Sequence, residues 1–395
     1  MRVGIFFLVL AYVLSQFYRA FLAVMTPVLA TDIGATAEDL SRASGLWFLV
    51  FAAMQVPVGW ALDTIGPRRL SAVLLALGGG GGVAVFAMAT TPGHIQIAMM
   101  MIGVGCSPVL MASYFIFARL YSPKVFATLA GAVLGVGTLG NIASSLPMAW
   151  AVETLGWRET MTGLAVVTVV VAIALYILVQ DPPRVHAEEG QHKGSVLSLL
   201  AMPALWPIFA IMFVNYAPAA GLRGLWAGPY LSDVFALDAS GIGMVTLAMG
   251  LAMVFGNLIY GPLDRVFGTR KWVVFTGNIL GAACIFGLWA FPAGSIWTTT
   301  ILLAAIGFFG ASFPMIVAHA RSFFPPHLVG RGVTLINLFG IGGVGVFQFA
   351  SANVFAGASK NAATASAPYE TLFLFFAIPL LIGSLLYLLS KDRLD

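Results

Sequence analysis

The chain has 395 residues, of which 60% are hydrophobic and only 9% are charged, and its mean hydropathy is +0.97. A soluble domain carries about 25% charged residues, so this composition excludes a water-facing surface of ordinary size. The net charge is +4, but the basic residues sit in short loops between apolar runs, where they act as topology signals. We therefore expect a lipid bilayer as the partner of this chain, and no nucleic acid.

Twelve apolar runs follow one another along the chain, and each is long enough to cross a bilayer as a helix, which takes roughly 20 residues. Their approximate bounds are 4–30, 41–62, 70–91, 95–118, 126–150, 158–180, 203–231, 239–262, 273–292, 297–320, 330–356 and 369–390. One hydrophilic stretch separates the sixth run from the seventh. We predict an all-α membrane protein with an N-terminal six-helix half at 1–180, a cytoplasmic linker at 181–196 and a C-terminal six-helix half at 197–395.

The distribution of basic residues predicts the orientation. If both termini lie inside, fourteen of the nineteen Lys and Arg residues fall on the inner side and three on the outer side. Cytoplasmic loops carry such an excess of basic residues. We therefore expect a multi-pass protein of a bacterial inner membrane with both termini in the cytoplasm.

A glycine-punctuated basic segment occurs twice, each time between two apolar runs. The first copy, which we call the first basic loop, is Gly59–Arg69, and the second basic loop, Gly261–Lys271, lies 202 positions later. Both resemble the loop between helices 2 and 3 of the major facilitator superfamily, whose pattern is G-x-x-x-D-x-x-G-R/K-R/K. The first copy departs from this pattern by carrying Pro67 between glycine and the arginines. Pro27 and Arg119 also recur at the same offset.

This resemblance implies two pseudo-symmetric six-helix halves, with a substrate bound near the middle of the membrane and carried by alternating access. It also implies gating residues near the basic loops. We expect Asp63 to cap a helix end or pair with Arg119, and Asp264 to pair with Arg321. The complete set of expected gating residues is Asp63, Arg68, Arg69, Arg119, Asp264, Arg270 and Arg321.

Two arginines lie inside apolar runs, Arg19 in the first and Arg223 in the seventh, whereas none of the fifteen acidic residues does. A charge at membrane depth is costly, so it indicates a functional site by default. Two buried cations without a buried anion predict a cavity that attracts an anionic ligand, and the guanidinium fork suits carboxylate or phosphate. The alternatives are that these side chains snorkel to the interface or bind backbone carbonyls.

The segment Tyr18–Pro27 resembles the first helix of organophosphate/phosphate antiporters and of anion/cation symporters. In those families an arginine eight residues before a proline binds the anionic group, which implies that role for Arg19. Arg223 precedes Pro229 by six residues, so its side chain is turned through roughly 200° from the matching direction. A substrate with a single carboxylate is therefore as much expected as a phosphate ester.

Other polar and aromatic residues of the runs are candidates for the same site. Buried amides and phenols need partners, although contacts between helices are their common use in membranes. The complete set of expected substrate-binding residues is Arg19, Arg223, Tyr18, Gln55, Asn257, Tyr114, Tyr216, Asn337, Gln348 and Trp226. The five glycines at 78–82 are expected to allow close helix packing instead.

These patterns predict a secondary transporter of a small organic anion, either a carboxylate or a phosphate ester. The alternative is an exporter of amphipathic, drug-like or lipid-like compounds. An enzyme is not expected, because the runs contain no acidic residue and only one histidine near an end, His319. We expect no cofactor or metal, a monomer, and a co- or counter-transported ion of unknown identity.

Overall fold

A computed structural model describes residues 2–120, 123–182, 196–325, 329–360 and 362–394, and these residues contain no β-strand. The helices up to the linker are α1 Arg2–Phe17, α2 Leu22–Ile33, α3 Ala37–Ala53, α4 Gln55–Thr64, α5 Pro67–Leu74, α6 Gly81–Ala87, α7 Pro92–Cys106, α8 Val109–Leu120, α9 Pro123–Ala143, α10 Leu146–Leu155 and α11 Trp157–Leu178. Those after it are α12 Val196–Leu200, α13 Trp206–Gly221, α14 Ala227–Phe235, α15 Ala239–Phe267, α16 Lys271–Ala290, α17 Ile296–Gly310, α18 Phe313–Arg321, α19 Val329–Ser359 and α20 Ala367–Tyr387. Two π-helical segments, Leu75–Gly80 and Leu222–Trp226, and a short 3₁₀ turn at Pro203–Leu205 join some of them.

Ten helical spans in the described part of the chain are long and apolar enough to cross a membrane. The helices α1 and α2 form an eleventh span that is bent by 54°. The fifth predicted run, 126–150, forms α9 and α10 with an interruption at residues 144–145. The predicted runs are therefore helical, but several are interrupted rather than continuous.

The chain divides into two compact units, Met1–Ala187 with Asp238–Gly243, and Glu188–Leu237 with Met244–Asp395. In the first unit α1 packs against α9 and α11, and α3 packs against α7. In the second unit α13 packs against α19 and α20, and α16 packs against α17 and α20. Most of the predicted linker lies outside the described residues, and the boundaries at 180 and 197 stay predictions.

Large apolar side chains cover much of the surface. Leu77, Leu258 and Ile177 are each about two-thirds exposed, although they lie on helices with few charges. A soluble protein avoids apolar patches of this extent, whereas lipid tails accept them. The helical backbone satisfies its own hydrogen bonds, as a lipid environment requires. The folded chain is thus built for a bilayer.

The predicted role of the glycines at 78–82 in close helix packing is confirmed. A Cβ on Gly78 would lie 2.7 Å from the backbone nitrogen of Gly105 in α7, and one on Gly82 would lie 2.9 Å from the Ala98 carbonyl oxygen. Both distances are below what carbon atoms tolerate, so only glycine lets the two helices approach this closely. The run is structural.

A carboxylate from beyond the last helix of each unit caps the helix that follows each basic loop. In the first unit the backbone N–H of Arg68 donates to Asp181 at 2.8 Å. In the second, the backbone N–H groups of Arg270 and Lys271 donate to Asp392 at 3.2 and 3.0 Å. The first N–H groups of a helix have no intrahelical partner and carry partial positive charge. Each basic loop is therefore fixed from within its own unit.

The groups around Asp392 lower its pKa. Burial raises the pKa of Asp392, but hydrogen bonds from the Thr269 hydroxyl and from the backbone N–H groups of Lys271 and Arg270 outweigh burial, so the pKa lies below its usual value. A carboxyl with a lowered pKa stabilises the fold above its unfolded pKa of about 3.9, and this contribution is lost as the pH falls through the lowered value. The cap is therefore fully ionised near neutral pH.

The second basic loop differs from expectation in the partner of its aspartate. Asp264 accepts a hydrogen bond from the Arg270 guanidinium at 3.1 Å, within the loop itself, rather than pairing with Arg321. The reason is local, because six residues of helix end and turn bring the two side chains together. The side chain of Asp63 lies outside the described part of the structure, so its expected capping or pairing stays a prediction.

We predict that Asp392→Ala exposes the start of α16. Its N–H groups at Arg270 and Lys271 then lose their acceptor, and the free energy of unfolding falls by about 1 kcal/mol, as for loss of a helix cap. Hydrogen–deuterium exchange should show faster exchange at these two amides. Glu153→Gln, at an exposed carboxylate, is the control and should change nothing. Unchanged exchange at Lys271 in Asp392→Ala would show that the cap is dispensable.

Candidate functional site

Arg19 lies where the first span is interrupted. The helix α1 ends at Phe17, residues 18–21 form a turn, and α2 begins at Leu22. Arg19 is thus 17 residues from Arg2 and 14 from Ile33, the ends of the bent pair. At 1.5 Å per residue the two ends lie roughly 20–25 Å away along the helices. Arg19 therefore lies near the middle of this bent pair along the chain.

The Arg19 guanidinium lies over two aromatic rings of α3. Its central carbon is 5.3 Å from the centroid of the Trp47 ring and 4.9 Å from that of Phe51. The two rings are themselves stacked, with centroids 5.0 Å apart. Such cation–π contacts contribute about 0.5–2 kcal/mol, depending on exposure. They hold the position of the charge through the ring faces rather than through its N–H groups.

Three buried polar atoms in this part of the first unit have no hydrogen-bond partner among the described residues. They are Nε of Arg19, Nε1 of Trp47 and Oε1 of Gln16. Gln16 lies in the last turn of α1, three residues before Arg19 in the chain. A buried polar group without a partner costs about 1–3 kcal/mol, so two donors and one acceptor remain unused. The sequence analysis did not predict Gln16 or Trp47, because no spacing in the sequence relates Trp47 to Arg19 and the unpaired atoms are seen only in the folded chain.

Arg223 has a different environment, although it also lies at an interruption. It belongs to the π-helical segment Leu222–Trp226 between α13 and α14. Its side chain is 3% exposed, and its Nε donates to the carbonyl oxygen of Thr246 at 3.2 Å. A Cβ on Gly250 would lie 3.0 Å from its Nη2, so the glycine gives the guanidinium room beside α15. Arg223 therefore joins two helices of its own unit.

Two expected site residues are engaged within their own units. The Tyr18 hydroxyl is buried and shares a hydrogen bond of 2.7 Å with Thr168 of α11. The Trp226 indole N–H donates to Ser351 at 2.9 Å, and its ring lies 4.8 Å from that of Phe355. Both side chains thus contribute to contacts between helices.

The remaining polar candidates are dispersed. Gln55 is buried and donates to the Phe51 carbonyl at 3.1 Å, and Gln348 is fully buried. Asn257 is exposed. Tyr114, Tyr216 and Asn337 are half-buried, and the ring of Tyr216 lies 5.8 Å from that of Phe313. Only Gln55, which follows Phe51 by four residues on the next helix, is close along the chain to the residues around Arg19.

The expected gating residues are distributed along the two basic loops and the helix ends near them. The Arg68 guanidinium donates to the Tyr176 carbonyl at 2.6 Å and lies over the Tyr176 ring. Arg119 lies over the Phe115 ring at 4.6 Å. Arg69 and Arg321 are exposed. The described contacts of these residues lie within single units.

The family model described as "Major Facilitator Superfamily" matches residues 8–224 and again residues 208–394. The chain belongs to the major facilitator superfamily. The two matches together cover nearly the whole sequence, one for each half. This membership makes the protein a multi-pass membrane transporter and not an enzyme. The predicted fold class, an all-α membrane protein of the major facilitator type, is confirmed.

Named relatives in this superfamily are similar to the chain at low identity. A putative tartrate transporter of Agrobacterium vitis is 23% identical over 323 residues, which cover 75% of this chain and 70% of that protein. A probable sulfoacetate transporter of Cupriavidus necator is 22% identical over 328 residues, which cover 76% and 74%. Both of these names describe transporters of organic anions.

A solved structure confirms the fold alone. A bacterial homolog to the human lysosomal transporter Spinster, in an inward-facing and occupied conformation, matches with a TM-score of 0.76 and 18% identity. The match covers 98% of this chain and 95% of that one.

Proposed function

We propose that this protein is a secondary transporter of small organic anions and that Arg19 holds the anionic group. One observation carries the proposal. The Arg19 guanidinium is fixed near mid-span by the Trp47 and Phe51 rings, while its buried Nε has no partner among the described residues. An arginine with only a structural role at this depth would donate its N–H groups to backbone or side-chain oxygens, as Arg223 does to the Thr246 carbonyl.

The electrostatics support an anion as the missing partner. Arg19 is half-buried, and its Nε is buried without a partner among the described residues, which also give it no salt bridge. A cation removed from water is costly unless it is paired and hydrogen-bonded. A carboxylate would accept two parallel N–H bonds from the guanidinium fork. Because the cation–π contact has already fixed the position of the fork, the anion meets a prepared site and less ordering is needed on binding.

The relatives support the same class of substrate. The tartrate and sulfoacetate transporters are similar to this chain over about three-quarters of its length. Tartrate is a hydroxylated dicarboxylate and sulfoacetate carries a carboxylate and a sulfonate, so both offer planar or tetrahedral anionic groups to a guanidinium. We therefore favour a small carboxylate over a phosphate ester.

The unused atoms beside Arg19 suggest a more specific chemistry. The Trp47 Nε1 could donate a second hydrogen bond to the anion, and the Gln16 Oε1 needs a donor. A hydroxyl group next to a carboxylate supplies that donor. We therefore propose that Gln16 recognises a hydroxyl of the substrate, which favours hydroxycarboxylates over unsubstituted dicarboxylates.

The mechanism and orientation follow from the superfamily and the charge distribution. We propose alternating access, in which the halves 1–180 and 197–395 move about the bound anion. We also propose a monomer in a bacterial inner membrane, with both termini in the cytoplasm, because basic residues concentrate in the loops on that side. A co- or counter-transported ion completes the cycle.

We predict that Arg19→Gln abolishes anion binding to the purified protein. The substrate carboxylate would be buried without its partner, at a cost of about 2–5 kcal/mol, or roughly 30-fold or more in affinity. Arg19→Lys keeps the charge but loses the fork, so weak binding remains. Isothermal titration calorimetry with tartrate, sulfoacetate and succinate measures the effect.

Arg223→Gln is the matched control, since it removes the other arginine at an interruption. It should lower thermal stability, because the Thr246 carbonyl loses its donor, and reduce affinity less than Arg19→Gln. Tight binding of every tested anion that survives Arg19→Gln would overturn the assignment of Arg19 and favour the exporter of amphipathic compounds.

We predict that Gln16→Leu removes discrimination without abolishing binding. Loss of one hydrogen bond to the substrate hydroxyl costs about 1–1.5 kcal/mol, or roughly tenfold in affinity for tartrate. Succinate has the same two carboxylates and no hydroxyl, so its affinity should stay constant. Equal losses for the two acids in Gln16→Leu would show that Gln16 supports the helix rather than recognising the hydroxyl.

A further inference from the structure

A polar cluster lies buried inside the second unit. Asn215 of α13 is 2% exposed, as is Asn278 of α16, and Ser312 at the break between α17 and α18 is fully buried. The Asn215 amide nitrogen donates to Asn278 Oδ1 at 2.7 Å and to Ser312 Oγ at 2.9 Å. The cluster therefore connects three spans through side chains alone.

The orientation of the Asn215 amide is fixed by its neighbours. The Asn278 amide nitrogen donates to the Val274 carbonyl at 2.8 Å, so Asn278 must present its oxygen to Asn215. Asn215 must then present its nitrogen, and reversing either amide would set two like atoms against each other. Asn215 Oδ1 is consequently left without a partner among the described residues.

A small cavity lies beside Asn215. Asn215, Asn278, Pro218, Ile285 and Leu380 belong to its lining, and it offers about 10 Å³ to the centre of a water molecule. One buried water needs about 10–15 Å³ and two to four polar partners.

We infer that this cavity is a binding site for one integral water molecule. The water donates a hydrogen bond to Asn215 Oδ1 and accepts one from the Asn278 amide nitrogen, whose second N–H makes only a long contact of 3.4 Å with Ser312. It thereby bridges α13 and α16 across the cavity that both asparagines line. A cation is a poorer occupant, because the described lining offers no carboxylate to offset its desolvation.

Radiolytic hydroxyl-radical footprinting of the full-length purified protein tests this inference, because radicals formed from a bound water oxidise the side chains that touch it. Ile285 and Leu380 line the cavity, whereas Leu288 and Leu303 lie on neighbouring turns away from it; all four are at most 3% exposed. We expect severalfold more oxidation of Ile285 and Leu380 than of the two control leucines.

Two variants complete the test. Asn215→Leu removes the acceptor and fills the cavity, and Asn278→Leu removes the amide donor with little change in side-chain volume. In whichever variant remains folded, oxidation of Ile285 and Leu380 should fall to the level of the controls. Equal oxidation of the two pairs in the parent protein, or oxidation that persists in a folded Asn215→Leu, would overturn the inference.

Discussion

The contact between the Arg19 guanidinium and the stacked rings of Trp47 and Phe51 is the interaction on which the functional account depends. A positive charge near the middle of a span must be stabilised. Oxygen acceptors would do so by accepting hydrogen bonds from its N–H groups, which would then no longer be available to a ligand. Aromatic faces stabilise the charge through their quadrupole and leave those N–H groups for a ligand. The rings lie 4.9 and 5.3 Å from the guanidinium carbon, and the Arg19 Nε has no partner among the described residues.

In both halves the helical backbone of the first span changes near its middle, and an arginine lies at that point. Each interrupts its first span near the middle, by a turn at residues 18–21 and by a π-helical segment at Leu222–Trp226. Interruptions of this kind are frequent at functional sites. Arg19 at the first interruption keeps its donors, whereas Arg223 at the second binds the Thr246 carbonyl of its own unit. The two arginines thus occur at similar points of the two halves but make different contacts.

Much of the fold was predictable, because apolar runs, glycine patterns and repeated loops are properties of local sequence. The interruptions were not, since a turn at 18–21 depends on tertiary packing rather than on a proline or glycine at that point. The directions in which side chains point could not be predicted from the sequence either. Tyr18 adjoins Arg19 in the chain, yet its hydroxyl binds Thr168, about 150 residues away. Gln16 and Trp47 became visible only once their unpaired atoms were placed in space.

The most direct measurement of the central claim is an experimental structure of the protein with tartrate bound. We expect a carboxylate held by two guanidinium nitrogens of Arg19, at the roughly 2.7–2.9 Å that is typical of such pairs, with the Trp47 and Phe51 rings still beneath the guanidinium. Tartrate bound at a site that makes no contact with Arg19 would contradict the account.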